Sequence, residues 1–277
     1  MAFQHSTRLV KLTQERITTL VAKHKQVLGR GATCTVYLVE VKGELCCLKL
    51  ARDRRLAAMF HQEFDVLLDL DGATGAPKAL GTSLGFPAML TTFRGHNTFC
   101  DLPRLARRET DRLAAFVSLA RDVQQLHARG YAHNDIKENN VAVCRAADGR
   151  LQVSLIDYGA AQRLGTRVGF VGASTRRTPW LAPELLGGGR CSRAGDVFSL
   201  GYVLSNILDT CHRYYPALDI LAEAAMAANP AQRPSLKKII KTVNKFTGQR
   251  DEAARKETFA RRVRKAFSRL FPRRRRY

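Results

Sequence analysis

Asp135, Lys137 and Asn140 stand close together in the stretch Gly130-Tyr131-Ala132-His133-Asn134-Asp135-Ile136-Lys137-Glu138-Asn139-Asn140-Val141-Ala142. At that spacing a carboxylate, an ammonium and an amide can share one short loop and converge on one point. Some way downstream, Leu155-Ile156-Asp157-Tyr158-Gly159 ends an apolar run in Asp and Gly. A base-type carboxylate, an Asn amide and a second carboxylate make a constellation suited to phosphoryl transfer, in which positioning and charge stabilisation do nearly all the catalysis.

Such side chains meet only if the flanking elements bring them together. Thr110 to Ala128 has the period of a long amphipathic helix, and Gly130 ends it. Strands are expected at Val141–Cys144 and Val153–Ile156, one behind each motif. Asp196 to Asp209 reads as a mostly apolar, buried helix. In the N-terminal half, Ser6 or Thr7 is expected to cap a helix running to about Ala22, with Leu9, Leu12, Ile17, Leu20 and Val21 as its stripe. From Val27 the pattern becomes strand, turn, strand: Val36-Tyr37-Leu38-Val39 and Leu45-Cys46-Cys47-Leu48-Lys49-Leu50 flank a turn at Gly43. Arg54 to Leu70 is helical in period, and Ala79–Leu84 and Ala88–Phe93 read as extended.

Several smaller motifs accompany the two loops. Gly29-Arg30-Gly31-Ala32-Thr33-Cys34-Thr35-Val36 is either a plain hairpin turn or a loop whose glycines let backbone amides approach phosphates. Lys49 sits between apolar neighbours on a strand, where burial without a partner is costly. Glu63, inside the expected helix, is a better partner than Glu40 or Glu44 beside the strands. Read singly, Lys49 and Glu63 would be surface residues. Asp196 could be a helix N-cap.

In order and spacing the pieces resemble the eukaryotic-type serine/threonine protein kinase family over roughly residues 24 to 245. The resemblance implies an α+β, bilobal protein-kinase-like fold with a small β-rich N-lobe and a mainly helical, shortened C-lobe. It implies ATP and Mg²⁺ as cofactors. Asp135 would orient the acceptor hydroxyl and take its proton, and Lys137 would neutralise charge on the moving group. Asn140 and Asp157 would hold Mg²⁺ through hard oxygen ligands. Gly29, Gly31, Val36, Lys49 and Glu63 would form the ATP site, Lys49 reaching the phosphates while paired to Glu63. His133 and Gly159 would be structural. Glu184 of Ala182-Pro183-Glu184 would pair with Arg233 of Gln232-Arg233-Pro234, and Asp196 would anchor the catalytic loop. Lys two residues after the Asp is the pattern of Ser/Thr rather than tyrosine kinases.

Departures from the family pattern carry expectations of their own. Cys34 stands where a third glycine is usual. Tyr158 replaces the more common Phe, and its hydroxyl needs a partner. Asn134 replaces the Arg that grips an activation-segment phosphate, which removes a fixed cationic fork. Few positions separate Asp196 from Arg233, so the C-lobe is trimmed. The segment Ala160 to Leu181 carries Arg163, Arg167, Arg176 and Arg177 beside Thr166, Ser174, Thr175 and Thr178. Its two readings are a face for acidic protein substrates and a solvated basic loop.

Net charge is +22, and residues 237–277 hold 16 Lys/Arg against 3 Asp/Glu. The segment from Asp251 to Leu270 has an apolar stripe of Phe259, Val263, Phe267 and Leu270 and precedes Arg273-Arg274-Arg275-Arg276. Nucleic-acid contact or nuclear import, an anionic membrane face, and docking on the body remain three readings of this tail. The seven cysteines are odd in number and form no CxxC pair, which favours free thiols in an intracellular setting, nucleus or cytoplasm. No apolar run approaches membrane-spanning length, and the first residues lack a signal-peptide core. The expected organisation is an N-terminal helical extension over 1–22, a kinase domain over 23–246 (N-lobe 23–92, C-lobe 97–246) and a basic amphipathic tail over 247–277. Competing functions are a pseudokinase or nucleic-acid-associated scaffold without turnover, and a small-molecule kinase on a related fold.

Overall fold

The structure is a computed structural model that describes residues 9–170 and 174–248. The expected tail helix over 251–270 and the arginine run after it lie outside the described residues.

The first lobe is built from β1 (Val10–Lys11), α1 (Gln14–Ala22), β2 (Gln26–Arg30), β3 (Cys34–Val41), β4 (Glu44–Ala51), α2 (Ala57–Leu70), β5 (Ala79–Thr82) and β6 (Ala88–Thr92). Six strands form one sheet in the order β1-β5-β6-β4-β3-β2. β3 and β4 pair antiparallel from Cys34↔Ala51 to Val41↔Glu44. Their connection places Lys42 and Gly43 both at positive φ, 54° and 81°, the backbone a tight hairpin requires. α2 buries Phe60, Glu63, Phe64 and Leu67. These positions follow i, i+3, i+4, i+7, so Glu63 falls on the apolar face and is carried inward with it.

The N-terminal segment differs from the sequence expectation. The helix begins at Gln14, where Thr13 Oγ1 accepts a bond from the Arg16 amide at 3.3 Å; Ser6 and Thr7 lie outside the described residues. Val10 and Lys11 instead form a strand parallel to β5, in register with Gly81 and Thr82. A short strand paired to residues far along the chain leaves no local periodic signal. The pairing is close enough that a Cβ built on Gly81 would come 2.2 Å from the Val10 carbonyl oxygen. Leu12 and Ile17 are buried with Val39, Leu48 and Leu80, so this segment belongs to the core of the first lobe.

The second lobe contains β7 (Asn97–Thr98), α3 (Leu102–Leu105), α4 (Glu109–Ala128), β8 (Tyr131–Ala132), β9 (Val141–Arg145), β10 (Leu151–Leu155), β11 (Gln162–Arg163), α5 (Pro183–Leu186), α6 (Arg193–Asp209), α7 (Pro216–Ala225) and α8 (Leu236–Val243). Its centre is α4, whose Leu113, Phe116, Leu119, Ala120, Val123 and Leu126 are buried. α6 starts at Arg193, with Ser192 Oγ accepting from the Gly195 amide at 3.2 Å. Asp196 therefore lies inside the first turn and is not the cap. Only α7 and a 3₁₀ turn at Pro230–Gln232 separate α6 from Arg233, which is the shortening anticipated from the spacing.

Candidate active site

Between the lobes lies a cavity of about 420 Å³, lined from the sheet by Gly29, Gly31, Val36 and Lys49 and from the second lobe by Asn140 and Asp157. Its size falls in the range of small-molecule sites. Cys34 lines it too, and burial pushes the thiol up, so it stays a neutral, protonated group.

Lys49 joins the two lobes. Its Nζ donates to Glu63 Oε2 at 2.6 Å and to Asp157 Oδ1 at 2.8 Å. Burial works against charge on the ammonium, but the two carboxylates outweigh that and hold it protonated. Burial likewise works against charge on Asp157, and Lys49 prevails to keep that carboxyl below the usual carboxylate range. The Asp157 side chain retains 45% of its surface, enough for a ligand to reach it. Asp157 has a positive φ of 61°, a conformation Asp tolerates better than most residues. Gly159 packs directly under the pair: a Cβ there would sit 3.3 Å from Glu63 Oε2 and 3.4 Å from Asp157 Oδ1.

The loop between β8 and β9 holds the second group. Asn140 Nδ2 donates to Asp135 Oδ2 at 2.8 Å and to the Asp135 carbonyl at 2.9 Å. Lys137 Nζ donates to the same carboxylate at 2.8 and 3.1 Å. Asp135, Lys137 and Asn140 thus form one hydrogen-bonded cluster, and Asn140 reaches the cavity that Asp157 lines.

Asp196, wholly buried, secures this loop from beneath. It accepts the backbone amides of His133 and Asn134 at 2.9 and 2.8 Å and His127 Nε2 at 2.8 Å. Burial opposes its charge, and these donors hold it below the normal carboxylate range. His133 is also fully buried: its Nδ1 accepts from the Asp135 amide at 3.3 Å, and Nε2 faces the Ile156 carbonyl at 3.3 Å. Burial depresses its pKa, so the ring is neutral and acts as a strut. Asn134 turns inward at φ 62° and donates to the Ala160 carbonyl at 3.0 Å. It carries no charge toward the segment that follows.

The remaining positions named from sequence have defined places. Arg233 and Glu184 form a bidentate pair at 2.7 and 2.8 Å. Tyr158 is buried edge-on to His133, ring centroids 4.9 Å apart. Its hydroxyl faces that of Thr74, but neither makes a well-formed hydrogen bond among the described residues, contrary to the need anticipated for it. Of the four arginines after Ala160, Arg163 is tied to Asp69 at 3.1 Å and stacks on Tyr131, and Arg167 donates to the Gly188 carbonyl at 3.5 Å. Arg176 and Arg177 are exposed.

Two partners were not foreseen. His127 gave no sign beyond its place at the end of an amphipathic helix. Trp180 donates its indole Nε1–H to Asp135 Oδ1 at 2.7 Å. Its only sequence signal was being the single Trp, just ahead of Ala182-Pro183-Glu184.

Comparison with known proteins identifies the family. The family model for the protein kinase domain matches residues 102–258, more than half of the chain. The chain belongs to the protein kinase family. Serine/threonine-protein kinase PknJ of Mycobacterium tuberculosis is 30% identical over 194 residues, covering 66% of this chain and 33% of that protein. Serine/threonine-protein kinase PkaB of Streptomyces coelicolor is 29% identical over 196 residues, 66% of this chain and 47% of that kinase. Tyrosine-protein kinase Abl of Drosophila melanogaster is 28% identical over 213 residues, 73% of this chain and 13% of its own length. This kinase chain spans a third to a half of its two bacterial relatives. Its architecture is the α+β, two-lobed kinase fold, and among the described residues no helix is long and apolar enough to cross a membrane.

Proposed function

We propose that the chain is a Mg²⁺- and ATP-dependent kinase that transfers the γ-phosphoryl group to serine or threonine hydroxyls of protein substrates. The observation that carries this reading is the linkage of Lys49 to both Glu63 and Asp157 across a cavity that also receives Asn140. A buried ammonium held in place by two carboxylates is ready to meet anionic phosphate oxygens.

Asn140 and Asp157 are the residues that would hold Mg²⁺. Both hydrogen bonds from the Asn140 amide nitrogen go to Asp135, which leaves the amide oxygen for a cation. One amide oxygen and one carboxylate suit Mg²⁺, which completes its shell with phosphate oxygens and water. The metal would supply neutralisation of charge on the phosphates. Asp135 would accept the proton as the acceptor's O–H bond breaks and its oxygen bonds to phosphorus, with ADP as the leaving group. Lys137 would stabilise charge on the group in transfer. The spacing of Asp135 and Lys137 and the two bacterial relatives support Ser/Thr over Tyr.

Exposed Arg176 and Arg177 support an acidic segment as protein substrate. The basic tail would add contact with nucleic acid or an anionic membrane.

The test is incubation of the purified chain with γ-labelled ATP, Mg²⁺ and Ser, Thr and Tyr peptides of acidic and basic character, beside small-molecule acceptors. Label on Ser or Thr that vanishes with Asp135→Asn supports the proposal. Nucleotide binding without transfer would favour a pseudokinase, and label on small molecules alone would favour a small-molecule kinase.

A further inference from the structure

Asp135 has all its acceptor positions filled. Oδ2 receives Lys137 Nζ and Asn140 Nδ2, each at 2.8 Å; Oδ1 receives Trp180 Nε1 at 2.7 Å and Lys137 Nζ at 3.1 Å. A carboxylate offers about four lone-pair sites, so an acceptor hydroxyl can bond to it only when one donor leaves.

Of the three donors, Asn140 is tied to the Asp135 backbone carbonyl as well, and the other two differ in how they are held. Trp180 is anchored through its backbone: the Ser199 hydroxyl on α6 donates to the Trp180 carbonyl at 2.7 Å. α6 also carries Asp196, which fixes the Asp135 loop from below. Carboxylate and indole are therefore referenced to one helix. The indole ring further sits 6.4 Å from Tyr202 and moves about only two side-chain torsions. Lys137 is a flexible stem whose ammonium lies 4.7 Å from the Trp180 ring centroid. It can swing to a phosphate while the indole stays. Thr178, the nearest hydroxyl on the same segment, is turned away: its Oγ1 donates to the Ser174 carbonyl at 2.9 Å.

We propose that Trp180 is a positioning residue for the kinase reaction: its indole N–H pins Asp135 Oδ1, and its ring face guides Lys137 between that carboxylate and the phosphoryl group. This rests on the kinase reading above. Departure of Lys137 vacates one site on each oxygen of Asp135, and the hydrogen bond from Trp180 keeps the carboxylate from rotating into the space.

The experiment compares the full chain with Trp180→Phe and Trp180→His under steady-state kinetics with γ-labelled ATP, Mg²⁺ and a Ser peptide. A hydrogen bond to a charged group carries a factor of about ten to a hundred. Trp180→Phe should lower kcat by about that factor while KM for ATP stays within twofold, because Trp180 does not line the nucleotide cavity. Trp180→His, which keeps a ring N–H, should recover part of the loss. Equal loss in both variants, or a rise in KM for ATP that accounts for the defect, would assign the residue a packing role and overturn the proposal.

A second measurement needs no turnover. Trp180 is the sole tryptophan, so emission excited beyond the tyrosine absorption band reports its surroundings alone. Asp135→Ala should change that emission, and identical spectra would remove the contact. If the unmodified chain binds nucleotide but transfers nothing, the kinase reading fails and this one falls with it. If it is active and Trp180→Phe matches it, only the present inference fails.

Discussion

Arg233 offers two guanidinium nitrogens to the two carboxylate oxygens of Glu184, at 2.7 and 2.8 Å, and is itself 1% exposed at the side chain. It also donates to the Ala227 and Ala194 carbonyls at 2.9 Å. One residue thus binds α5, the start of α6 and the 3₁₀ turn into a single unit. Arg233→Ala leaves the largely buried Glu184 carboxylate without its two guanidinium donors, a loss of about 3–5 kcal/mol. Chemical denaturation should show a lower midpoint at unchanged slope. Arg233→Lys should recover little, because an ammonium cannot supply the planar fork.

Asp157→Ala removes the carboxylate proposed to hold the metal and one of the two partners of Lys49. Mg²⁺-dependent phosphorylation should disappear while the circular dichroism spectrum and thermal melt remain close to those of the unmodified chain. Unchanged turnover would remove the metal assignment.

Asn134 gives up its side chain to the Ala160 carbonyl and presents no cation to the activation segment. Phosphatase treatment of the purified protein should therefore leave its turnover largely unaltered. A large loss would show that another cation, with exposed Arg176 and Arg177 the first to check, grips a phosphate there.

The buried Tyr158 hydroxyl lacks a partner among the described residues. Leaving such a group unpaired costs about 1–3 kcal/mol. Tyr158→Phe keeps the ring against His133 and deletes the hydroxyl, so it should raise the melting temperature. A lower melting temperature would mean that the hydroxyl is satisfied in solution, by Thr74 or by water.

Burial raises the Asp122 carboxyl to about 7, and its Oδ2 has no hydrogen-bond partner among the described residues. In the unfolded chain the same group titrates near 4. Between those values the folded state binds more protons than the unfolded one, so stability falls as pH rises and levels off above about 7. Asp122→Asn should flatten this slope and raise stability at pH 8 by about 2–4 kcal/mol. Urea titrations at pH 5 and pH 8 for both proteins would decide it.

The sequence disclosed most where local pattern and spatial neighbourhood coincide. Glu63 could be matched to Lys49 because it lies inside the expected helix and the resemblance implies a helix Glu as partner; the structure adds that it shares the buried side of α2 with Phe60, Phe64 and Leu67. Asp135, Lys137 and Asn140 could be grouped because one loop carries all three. Trp180 could not, since its contact with Asp135 spans 45 positions and depends on how the intervening segment folds back. β1 escaped for the same reason: two residues have no period to read, and their partner strand lies across the lobe. The start of α6 was placed three residues late because apolar composition marks a helix body and Ser192, a polar residue, marks its beginning.

The short β1 strand bears on how this protein can be handled. Removing residues through Lys11 would strip β5 of its neighbour and leave a row of backbone amides and carbonyls open along that margin. Gly81, bare of a side chain, would offer no steric guard against another chain settling there. Shortened versions that begin after this strand would be prone to self-association, whereas those that retain it keep the margin closed.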